Sequence, residues 1–196
     1  KTMRKILLIA LVAVLASCTA QQSDPKGNHP CLLLTKEGVK NIKAAKGKMP
    51  MLDVSLERLA QDAQAAMDRE TCVPVPKDGG GGYTHETHKL NYYDLHVLGM
   101  SWQLSGDKKY VEKAKEIFLA YCEMYPTIGM HPIEMSPVRG MLFWQTLNES
   151  VWLVHVAMAY DCLKDQFTQD ERDQIENKLL RPIAKFIMEG TPANVE

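Results

Sequence analysis

The chain has 196 residues, with 23 Lys and Arg against 24 Asp and Glu, so its net charge is −1 when the histidines are neutral. That balance excludes the broad basic field that holds nucleic acid, and any acidic ligand has to be met by a few local groups. Hydrophobic residues make up 45% of the chain, enough for one packed domain.

Lys1 to Lys5 carries three positive charges, Ile6 to Leu15 is apolar, and Leu15-Ala16-Ser17-Cys18 follows directly. The apolar run is shorter than the roughly 20 helical residues that span a bilayer, and it has the form of a bacterial lipoprotein signal over 1–17. Such a signal makes Cys18 the lipid-bearing residue and anchors an exported domain to a membrane, facing the periplasm or the outer surface. Residues 18–28 read as the tether, and 29–196 as the domain. The chain starts without an initiator methionine and stops just after a helical pattern, so we expect the N-terminal part of a longer protein.

Helical patterns dominate the remainder. Thr35 caps a short helix ending at Gly47, and Met51 to Arg69 has Leu52, Leu56, Leu59, Ala63 and Ala66 on one side. The Pro- and Gly-rich stretch 73–82 is a loop whose four glycines provide either slack or a close approach to a ligand. A helix over Thr84 to Leu104 aligns His85, His88, Tyr92, His96 and Gln103 on one side. Asp107 caps a helix running to Met124, and Tyr125 to Pro137 reads as an extended linker. Met141 to Asp161 reads as one long helix. On it Gln145, Asn148, Trp152 and His155 fall within an arc of roughly 80°, beside a core-facing stripe of Leu147, Val151, Val154 and Met158. Thr168 and Glu171 form a capping box for a last helix to about Glu189.

These elements predict an all-α stack of antiparallel hairpins, either a solenoid or a ring. The two polar stripes suggest one shared cleft, with a solvated surface as the plainer alternative. Cys31, Cys72, Cys122 and Cys162 show no CxxC and no metal spacing; Cys122 and Cys162 lie in apolar patterns and read as buried free thiols. His85 and His88 are three apart rather than four, so the helical zinc-protease pattern is missing, and neither a metal nor another cofactor is expected.

Three segments carry a resemblance: Gly82 to Lys89 with Asn91-Tyr92, Tyr125 to Pro132, and Phe143 to Trp152. Together with His29-Pro30 and Leu34-Thr35, they resemble the heparinase II/III-like and alginate lyase superfamily, most closely polysaccharide lyase families 15 and 17. The resemblance implies the first part of an incomplete (α/α) toroid, continued in relatives by further helices and β-sandwich domains. It also implies β-elimination at a uronic acid of an acidic polysaccharide. Heparin or heparan sulfate is favoured over alginate or oligoalginate on the general look of the motifs. Gln145 matches a glutamine near the uronate carboxylate, Asn148 either bonds the same sugar or fixes Gln145, and Arg139 resembles an arginine meeting acidic groups. His85, His88 and Tyr92 match cleft residues, although the two histidines also suit a structural role against the glycine loop. The histidine and tyrosine that transfer protons come later in these families, so they are expected beyond Glu196, and the chain alone is expected to be inactive. A non-catalytic glycan-binding surface lipoprotein is the alternative.

Overall fold

The computed structural model describes residues 28–190. The expected signal over 1–17, the expected lipid attachment at Cys18 and the expected tether up to residue 27 lie outside the described residues. Seven α-helices are described: α1 (Lys36–Ala45), α2 (Pro50–Asp68), α3 (Tyr83–Ser105), α4 (Lys109–Met124), α5 (Thr146–Leu163), α6 (Gln169–Ile175) and α7 (Arg181–Glu189). No β-strand occurs among the described residues, and the helical hairpins suit one sector of an (α/α) toroid. None of the described helices is long and apolar enough to cross a membrane.

The helix ends follow the sequence. Thr35 Oγ1 accepts the Gly38 N–H at 2.9 Å, Asp107 Oδ1 accepts the Lys109 N–H at 3.1 Å, and the Thr168–Glu171 box closes both ways. Gly106 follows α3 with φ +75°, a left-handed turn that costs glycine nothing, and starts the hairpin into α4. The last helical pattern contains one wide turn, Glu176–Leu180, where the Arg181 N–H reaches back to the Glu176 carbonyl. Pro182 follows at once and has no N–H to donate, which accounts for the loosened ladder.

Helix α3 is the centre of the packing, with α5 and α4 against it and α2 outside. Leu95, Leu98, Phe118, Tyr121, Trp152, Val156, Leu163, Leu179 and Ile183 form the core. Of the polar stripe on α3 only His85 and His88 are buried, and other polar groups of the helix are buried beside them. Asn91 Nδ2 donates to the Cys72 carbonyl at 2.8 Å, Asp94 pairs with Arg69, and Thr84 Oγ1 accepts the N–H groups of Lys77 and Asp78 while Asp78 accepts that of Thr84. These bonds draw the 71–82 segment onto the helix. The glycine loop is tight at one end and open in its middle: a side chain at Gly82 would sit 2.3 Å from Asp78 Cβ, whereas one at Gly81 would meet nothing within 4 Å.

Two expectations are corrected. The helix read as beginning at Met141 begins at Thr146, because the Glu149 carboxylate folds back to accept the N–H groups of Met141 and Leu142, and Thr146 N–H and Oγ1 bond to the Val138 carbonyl. The stripe read as core-facing is turned outward: Leu147 is 69% exposed, Val154 56% and Val151 39%, while Trp152 is completely buried. The two faces lie about half a turn apart, and both are apolar. The 125–137 segment, read as an extended linker, starts with a 3-10 turn at Tyr125, and both Tyr125 and His131 are buried.

Candidate functional site

Residues 138–149 turn sharply between the linker and α5. The His131 N–H donates to the Gly140 carbonyl at 2.8 Å, and Glu149 holds the next two N–H groups at 2.8 and 3.2 Å. A side chain at Gly140 would come within 2.2 Å of Glu149 Oε2, so only glycine fits under the carboxylate. Burial pushes the Glu149 carboxyl up to about 7, against the smaller pull of those two N–H groups.

This turn presents Arg139, Gln145 and Asn148. Gln145 is the N-cap of α5 with an extended backbone, so it stands at the helix mouth rather than on its wall. Its carbonyl accepts the Asn148 N–H at 3.1 Å. Both carboxamides are half-buried and make no side-chain hydrogen bond among the described residues. They flank the N-terminus of an 18-residue helix, where unpaired N–H groups and the dipole favour an anion. Arg139 Nη1 bonds Glu134 at 2.6 Å, but that carboxylate is 78% exposed, and Arg139 Nε is buried without a partner. An exposed ion pair of this kind is worth at most about 1 kcal/mol, so an incoming carboxylate competes easily for the guanidinium.

Phe143, in the same turn, packs edge-on against both His85 and His88, with ring centroids 5.1 and 5.9 Å apart. His88 has no exposed surface, its Nδ1 lies 2.8 Å from the Tyr121 hydroxyl, and burial takes its imidazole down to about 3. This corrects its reading as a cleft residue: it is a neutral core histidine. His85 is almost as buried, is held below its ordinary value first by burial, and leaves Nδ1 without a partner. Its neighbour His131, also lowered by burial and then by His85 and Arg139, was not singled out from sequence.

One to two turns further along, Tyr92 stacks on His155 at 4.7 Å, and His96 meets His155 at 5.7 Å. The polar stripes of α3 and α5 therefore do meet, along a half-exposed seam. Gln103 leaves it and donates to the Cys162 carbonyl. Trp152 belongs to the core, as do Cys122 and Cys162, whose thiols burial raises to about 11 and 12; no disulfide joins the four described cysteines to one another.

Glu149 was missed from sequence because it sits between Asn148 and Ser150 in a hydrophilic-looking run. The usable signal was its spacing from Trp152 and Val156, which places an acid on the buried side.

No family model matches the chain. Over 191 residues, 96% of the chain, it is 41% identical to an exo-oligoalginate lyase of Saccharophagus degradans, covering 25% of that protein. Over 124 residues, 63% of the chain, it is 46% identical to an alginate lyase of Stenotrophomonas maltophilia, covering 17% of that protein. The chain thus spans about a quarter or less of the length of these relatives.

Proposed function

The chain is related to the alginate lyase superfamily, and on that premise we propose that it forms the carboxylate-binding side of a polysaccharide lyase cleaving alginate or its oligosaccharides by β-elimination. The observation that carries the proposal is the pair of unbonded carboxamides, Gln145 and Asn148, beside Arg139 at the head of α5. Removing the C5 proton of a uronate pushes a second negative charge onto its carboxylate, and the reaction is slow unless donors neutralise that charge as it develops. Gln145 and Asn148 supply neutral N–H donors, and Arg139 supplies a planar cation that can hold both carboxylate oxygens.

Tyr92 lines the approach, and His85 and His88 support the turn from beneath through Phe143. We assign the proton transfers to groups outside the described residues. The lean toward heparin or heparan sulfate gains nothing from relatives that are both named for alginate, so alginate takes first place. Anchoring through Cys18 to a periplasm-facing or outer-surface membrane belongs to the same proposal; loss of fatty-acid labelling in Cys18→Ser is the expected result, and unchanged labelling would refute it.

The test of function is the ultraviolet absorbance of the unsaturated uronate product, followed with the full-length protein on alginate, heparin and heparan sulfate in parallel. Absorbance rising on alginate is expected. Binding to the polymers without any rise would replace the lyase reading by the glycan-binding one.

A further inference from the structure

Far from that turn, Asp161 in α5 ties down the segment that enters the domain. Its Oδ2 accepts the backbone N–H groups of Cys31 at 2.7 Å and Leu32 at 2.8 Å. Its Oδ1 faces two other atoms, His29 Nδ1 at 2.5 Å and Cys31 Sγ at 3.5 Å, and Cys31 Sγ is 3.6 Å from the same His29 nitrogen. All three donor atoms lie within 4.8 Å of one another. We infer that His29, Cys31 and Asp161 form a binding site for a divalent cation of the zinc class.

The spacing supports this. Tetrahedral zinc, with bonds of about 2.3 Å to sulfur and about 2.0–2.1 Å to nitrogen or oxygen, sets sulfur about 3.6 Å from each lighter donor and the two lighter donors about 3.3 Å apart. The two edges through sulfur already have that length. Only the edge between His29 and Asp161 must open, by less than about 1 Å. Asp161 is held from behind by two backbone N–H groups on Oδ2, the outer-shell support that orients a ligating carboxylate. Burial raises its carboxyl, but the bonds from Leu32, His29 and Cys31 outweigh that and keep it below the usual carboxylate range.

A cavity of about 250 Å³, lined by His29, Asp161, Asp165 and Gln166 among others, borders two of the three donors and leaves room for a fourth ligand from solvent. Lys36 also lines it and opposes a cation; the thiolate and carboxylate together offset that charge.

The test is titration of the reduced, chelator-treated full-length protein with Co²⁺, then displacement by Zn²⁺, with Cys31→Ser and Cys72→Ser alongside. The Cys31 side chain is exposed, so its replacement leaves the fold in place. One equivalent of Co²⁺ should give a thiolate-to-metal charge-transfer band that Zn²⁺ abolishes, that Cys72→Ser retains and that Cys31→Ser loses, with at least tenfold weaker binding. No band in the parent, or the same band in Cys31→Ser, would overturn the site. Neither result depends on lyase activity.

Discussion

On α3, His88 has no exposed surface and is bonded to the Tyr121 hydroxyl, whereas at the head of α5 the carboxamides of Gln145 and Asn148 are half-exposed and bond no side-chain partner among the described residues. The core has absorbed the first polar group and left the second pair over. Removing a partner from a buried bond leaves a desolvated group that costs about 1–3 kcal/mol, while removing an exposed, unbonded amide costs the fold almost nothing. His88 therefore belongs to stability, and Gln145 is left for the binding role we propose.

The contrast is sharpest between the two apolar sides of α5. Trp152→Ala should destabilise by about 3–5 kcal/mol, since it empties a fully buried site against Tyr121. Denaturant melts of that variant and of Leu147→Ala, expected to stay within about 0.5 kcal/mol, check it. Equal losses would break the assignment of faces.

Acid comes next. The unfolded chain takes up a proton at His88 near 6.5 and the folded protein only near 3, so this group's stability contribution is complete above pH 6.5 and is lost as pH falls toward 3. In His88→Gln the stability difference between pH 7 and pH 4 should shrink by an amount on the order of a few kcal/mol.

Glu149 runs the other way and is smaller. Its folded value, about 7, lies above the ordinary 4.5, so the folded state keeps a proton that the unfolded chain releases, and stability falls as pH rises from 4.5 to 7 before levelling. Glu149→Gln should flatten that slope while losing about 1 kcal/mol for a weakened grip on Met141 and Leu142. An unchanged slope in the melts would remove Glu149 as the pH-sensitive clasp of the turn.

Local chemistry was readable where it was encoded locally: Thr35, Asp107 and Thr168 with Glu171 each bond the helix start that their sequence promised. Helix α5 was misread because Leu147, Val151 and Val154 are as apolar as Trp152, Val156 and Ala159, and periodicity cannot choose between two such faces. Gln145, Arg139 and Asn148 came to notice together through motif and spacing, but the bend that gathers them depends on Glu149 reaching back eight residues. The bond between Asp161 and the Cys31 backbone crosses 130 residues, and no local pattern announces it.

The most direct measurement is kcat/KM on alginate for full-length Gln145→Ala, paired with its denaturant melt and with both quantities for His88→Gln. Loss of about 10²- to 10³-fold in activity with an unchanged melt is predicted for Gln145→Ala, as for removal of one donor to a developing anion. Undiminished turnover, or activity lost only in step with stability, would contradict the assignment of the α5 head to the uronate carboxylate.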